Sequence, residues 1–221
     1  MSAVVLGAGL VVTACSPVQL GSAAIVGDQR ITIATLDTEV NNLNQAVERY
    51  KSTVPLSQAQ QTQQTLTWLI RFKINEELAR QAGITVSRAQ AEKALADIYA
   101  SAKASAQAQG IPNASLDLIL AANGIPPNLA EEVGRYQAID DEFAKQANGG
   151  QEPTSTSAQN AVLAKLTKAR CQAAKALNIQ VNPQFGQLNY NQVAIVAAPS
   201  TVFRPAGAAP TASPSGLTPA C

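Results

Sequence analysis

The stretch from Ser57 to Gly83 carries the marks of one long helix at both of its ends. Ser57 and Gln60 stand at capping-box spacing, so a hydroxyl and an amide side chain can satisfy two orphan N–H groups of the first turn. Gly83 stands where a helix commonly closes on a left-handed residue. Between them Leu66, Leu69, Ile70, Ile74 and Leu78 line one face. Trp68 and Phe72 fall roughly opposite, side by side at i and i+4. A helix that is apolar on two faces has two uses. It sits at the centre of a bundle, covered on both sides, or it keeps its aromatic pair exposed as a contact surface.

The same grammar recurs along the chain. Leu36, Val40, Leu43, Val47 and Tyr50 mark a helix over about 34–52. Ser87 and Gln90 open another, over about 88–109, and Gly110 closes it. A short helix near 114–123 ends at Gly124, and Pro126-Pro127 opens a longer one over about 127–147, with Leu129, Val133, Tyr136, Ile139 and Phe143. After the linker-like "NGGQEPTSTS" of 148–157, a last helix over about 158–177 carries Val162, Leu163, Leu166, Ala173 and Leu177. Residues 22–34 predict a β-hairpin turning at Gly27-Asp28. Two strands alone are marginal in water, so the late extended segment Ile179–Gln187 is the natural third strand. The fold class that follows is mostly α: a bundle of five to six helices with a small antiparallel β element, the N-terminal hairpin plus a C-terminal strand. From about Ala197 the Ala/Pro/Ser/Thr-rich text predicts a disordered tail over 197–221.

Composition narrows the chemistry. The 221-residue chain has no histidine and a net charge of +1. Ser-His-Asp and Cys-His nucleophilic sites are therefore excluded, as are histidine-containing zinc sites. Glu76–Glu77, Glu131–Glu132 and the run Asp140-Asp141-Glu142 read as solvated helix faces. The expectation is no catalytic residue, no metal, no cofactor and no nucleic-acid partner.

Three cysteines remain. The start, MSAVVLGAGLVVTAC, has an apolar run too short to span a bilayer, where about 20 residues are needed. Val12-Thr13-Ala14-Cys15 resembles the bacterial lipobox, in which small residues precede a cysteine that is lipidated and becomes the first residue of the mature protein. No Lys or Arg precedes the run, and a buried N-terminal strand with a core cysteine is the other reading. The resemblance implies a signal peptide over 1–14, a linker over 15–22, and membrane attachment through lipid on Cys15, on the extracytoplasmic face. Cys171 falls on the flank of the last helix, away from its apolar stripe, and Cys221 is the final residue. A Cys171–Cys221 disulfide, free thiols or intermolecular pairing are all open.

Taken together, "AAIVGDQRITIATLDTEV", "ARQAGITVS" at Ala79–Ser87 and "IQVNPQFGQLN" resemble the SurA/PrsA-type extracytoplasmic chaperones, in which a short hairpin leads straight into a helical domain. Gln184 stands where the "V-N-P-R-F-G" strand of related actinobacterial lipoproteins has Arg. The resemblance covers about 22–190 and implies a domain over 23–190. The family's parvulin isomerase would be inserted before the last helix, where this chain has only 148–157. It therefore implies a holdase for unfolded or exported polypeptides, without prolyl isomerase activity, with Trp68 and Phe72 as candidate contacts. The alternative is an adaptor or assembly factor for one envelope partner.

Overall fold

The computed structural model describes residues 21–197. Six α-helices and small antiparallel strand pairs make up this part of the chain, a mostly α architecture as expected. Strands β1 (Ser22–Val26) and β2 (Gln29–Thr32) pair antiparallel, with Val26 opposite Gln29 across the Gly27-Asp28 turn. The turn needs Gly27, whose φ is 62° and whose amide donates to the Leu177 carbonyl at 2.7 Å.

Helix α1 (Ile33–Arg49) follows directly, capped by the Thr32 side chain. Helix α2 (Gln58–Ala82) has the expected capping box at Ser57 and Gln60, and it ends on left-handed Gly83. Helix α3 (Arg88–Ala108) has the second box at Ser87 and Gln90, and α4 (Leu116–Ala122) is capped by Ser115. The prolines at 126–127 open a single 3-10 turn, so α5 is Ala130–Ala147 and starts three residues later than its sequence pattern begins. Helix α6 (Thr156–Ala176) starts on the Ser155 cap.

Of the two uses of a doubly apolar α2, the central one is what the fold adopts. It packs against α1, α5, α6 and β1. Leu66, Ile70, Ile74 and Leu78 are buried with Leu36, Ile139, Leu166 and Ala173 in the main core. Alanine-rich packing lets helices approach closely. Where α3 meets α5, a Cβ added at Gly134 would come within 2.5 Å of the Ala91 carbonyl oxygen.

The late segment differs from a single strand. β3 (Gln180–Val181) does pair antiparallel with β1, which becomes the middle strand in the order β2-β1-β3. Pro183 has no N–H to continue a ladder, and a 3-10 turn over Pro183–Phe185 ends it. Gly186, with φ at 120°, redirects the chain into β4 (Gln187–Asn189), which pairs with β5 (Ala194–Val196). This second hairpin was not expected, and it carries ordered structure past residue 190. β5 lies on α2, with the Ile195 amide donating to the buried Thr67 hydroxyl at 2.9 Å.

Candidate functional site

Along α2, Trp68, Arg71, Phe72 and Asn75 recur at i, i+3, i+4 and i+7, one stripe of the helix, with Arg71 at the edge that meets this hairpin. Trp68 and Phe72 do lie side by side, with ring centroids 5.8 Å apart, and Tyr136 of α5 closes a triangle at 5.8 Å and 6.1 Å. Phe72 is buried, with Leu120, Ile125, Leu129 and Val133 around it. Trp68 is half-buried and anchored by its indole N–H, which donates to the Asn123 carbonyl at 3.1 Å. Of the two candidate contacts, only Trp68 reaches a cleft on this side.

Two clefts share Arg71 as a wall. One, of about 510 Å³, runs along Gln60, Gln63, Gln64 and Trp68 toward Asn123 and Ile195. The other, of about 280 Å³, lies between Arg71, Tyr136, Arg170 and the β4–β5 turn. Arg71 is fixed in place by that turn: Nε donates to the Val193 carbonyl at 2.8 Å and Nη2 to the Gln192 carbonyl at 3.2 Å. Its guanidinium lies over the Trp68 ring at 5.1 Å, and that of Arg170 over the Tyr136 ring at 4.7 Å. Burial lowers the Arg71 pKa from its ordinary value, Tyr136 opposes this, and the Arg170 charge adds to it.

Arg170 is paired. Its Nη2 donates to Asp140 Oδ2, and its Nε donates to Asn75 Oδ1 at 3.4 Å. Asn75 in turn donates to the Tyr136 carbonyl at 2.9 Å, so α2, α5 and α6 meet in one polar cluster. Asp140 corrects the reading of the acidic run as a solvated face. Its side chain is 12% exposed, and Oδ1 is buried with no hydrogen-bond partner among the described residues. The run is solvated only in part because Asp140 turns inward to a cation on another helix. Cys171 is a second correction. It is 1% exposed rather than flanking, and it is disulfide-bonded. Neither Cys15 nor Cys221 is among the described residues. No group of three or more metal-ligating side chains occurs among the described residues.

Burial pushes the Asp140 carboxyl from its ordinary 3.8 up to about 6, against the attraction of Arg170. Between these values the folded protein holds a proton that the unfolded chain has released. Stability therefore falls as pH rises through about 4 to about 6. Glu77 is shifted the other way by its hydrogen bond from Arg80, so its effect lies below its ordinary 4.5. Urea unfolding of the wild type should lose about 2 kcal/mol on going from the acid to the upper end of the window. Asp140→Asn should flatten that profile, and a flat wild-type profile would refute the assignment.

Comparison with known families matches the SurA-like N-terminal domain over residues 1–135. No curated protein and no solved structure matches. Trp68, Arg71, Phe72 and Asn75 lie within the matched span, while Tyr136, Asp140, Arg170 and the β4–β5 hairpin lie beyond it.

Proposed function

The chain belongs to the family of SurA-like N-terminal domains, and from that premise we propose that it is a chaperone-like holdase that binds unfolded or exported polypeptides outside the cytoplasm. The observation that carries this reading is the cleft along Gln60, Gln63, Gln64 and Trp68. Amide side chains both donate and accept, so they can bond an extended backbone whatever its sequence. The half-buried indole beside them offers apolar area for a passing side chain. Weak, sequence-tolerant binding of this kind is what a holdase needs, since it must also release without ATP.

Isomerase activity is not part of the proposal. The chain has no histidine, and α5 and α6 are joined by residues 148–155 alone. Attachment to the membrane through lipid on Cys15 is proposed from the lipobox-like residues 12–15. Among the described residues no helix is long and apolar enough to cross a membrane. A Cys15→Ser variant should leave the membrane fraction, and unchanged partitioning would remove the anchor from the proposal.

The binding test uses a photo-crosslinking amino acid at position 63, in the cleft, and at position 163, where Leu163 is 60% exposed and lines neither cleft. With a client diluted from denaturant, the protein should suppress aggregation and crosslink from position 63 well above position 163. Equal labelling from both positions, or no suppression, would overturn the reading.

A further inference from the structure

The smaller cleft holds a charge that the fold does not neutralise. Arg71 and Arg170 both line it, and no carboxylate does. Arg170 has Asp140 behind it, but Arg71 forms no ion pair among the described residues. Its hydrogen bonds go to the neutral carbonyls of Gln192 and Val193. A largely buried cation without a counter-ion is costly, and a second cation on the same cleft raises that cost. Exposed surface arginines solve this with water. Here the Trp68 ring covers one face of the guanidinium, and two carbonyls take one edge.

What remains of each guanidinium is directed by these contacts. Arg71 uses two of its five N–H donors on the β4–β5 turn, and Arg170 uses two on Asp140 and Asn75. The cation–π contacts with Trp68 and Tyr136 hold both groups without consuming donors. Tyr136 lines the same cleft, and its hydroxyl makes no hydrogen bond among the described residues. Burial keeps it protonated, with its pKa pushed up to about 12, so it stays a donor at any physiological pH. The cleft thus presents donors from two fixed guanidinium groups and a phenol. Its volume of about 280 Å³ suits a small planar anion rather than a whole ligand.

We propose that the cleft between Arg71, Arg170 and Tyr136 is a carboxylate-binding site that takes the terminal or side-chain carboxylate of a bound polypeptide. The proposal rests on the polypeptide-binding reading for the source of the carboxylate. Arg71 is the shared wall of the two clefts, so a chain lying along Gln63 and Trp68 would deliver its carboxylate past Arg71. Planar, two-pronged recognition is what a guanidinium offers a carboxylate, and each charge-assisted bond is shorter and stronger than a neutral one.

Trp68 is the only tryptophan in the chain and touches Arg71, so its emission reports on the site. The full-length protein is titrated with a short apolar peptide in three forms: free C-terminus, C-terminal amide, and amide with one internal Glu. The free acid should bind about tenfold or more tightly than the plain amide. Sodium acetate should displace it, and sodium chloride at equal ionic strength should not. If the internal-Glu amide matches the free acid, the side chain is a sufficient source. If it matches the plain amide, the terminus is the source; either supports the site. Equal binding of all three forms, or equal displacement by chloride, overturns the site and leaves the polypeptide reading standing. No binding of any form overturns both. Arg71→Gln should erase the acid–amide difference while circular dichroism remains native, and a retained difference in the folded variant also overturns the site. Should that variant unfold, the three-peptide comparison on the wild type still decides.

Discussion

An Arg170→Met variant is expected to lose about 3 kcal/mol of folding free energy at neutral pH. The side chain is 21% exposed, and Asp140, its partner, is 12% exposed, so the pair is shielded from solvent but not sealed. Removing the cation leaves a carboxylate that already lacks a partner on Oδ1. That carboxyl cannot stay charged there. It takes up a proton, which at pH 7 adds about 1.4 kcal/mol to the cost the wild type already carries with this carboxyl at about 6. The rest of the loss is the two hydrogen bonds that Arg170 gives to Asp140 and Asn75. The double variant R170M/D140A should recover most of the loss, because no orphan charge remains. Denaturant unfolding of the two single variants and the double variant gives the coupling directly. An Arg170→Met loss within a few tenths of a kcal/mol would show that the cluster is wetter than its geometry says.

Gly134→Val should cost about 3 kcal/mol for a different reason. The site has no room. A Cβ there meets the Ala91 carbonyl oxygen at 2.5 Å and the Leu95 Cβ at 3.0 Å. The first of these is backbone, so no rotamer change relieves it, and α3 and α5 must move apart. Gly134→Ala should cost less, since alanine's better helix propensity returns about 1 kcal/mol. Thermal unfolding that ranks wild type, alanine and valine in that order checks the crossing. A valine variant as stable as wild type would mean the helices separate freely.

Much of this fold could be read from local signals, because the signals are local in their physics. Ser57 with Gln60, Ser87 with Gln90, and Gly83 each satisfy backbone groups within a turn or two, and all of them do so in the structure. The third strand was also legible. An apolar hairpin with an open edge demands a partner, and residues 180–181 supply it. The second hairpin was not legible, for its strands are three residues each. What holds it lies far away, in the Thr67 hydroxyl and the Arg71 guanidinium. The site divides in the same way. The spacing of Trp68 and Phe72 announced their contact, and the stripe 68, 71, 72, 75 would have added Arg71 and Asn75 to it. Nothing near Asp140 in the chain says that it turns inward, because its reason to do so is Arg170 on α6. Cys171 likewise looked peripheral on its own helix, and the packing of that helix buried it.

The place of β1 between β2 and β3 sets an order of events for a chain that appears from its N-terminus. The first strand made pairs on one side at once, with residues 29–32. Its other side pairs with residues 180–181, so it stays open until all six helices have been delivered. A pairing so distant in sequence forms late. Any pause before residue 180 leaves an apolar strand with a free edge, able to pair with whatever strand comes near. By this topology the protein is, for most of its own synthesis, the kind of unfinished chain that a holdase binds.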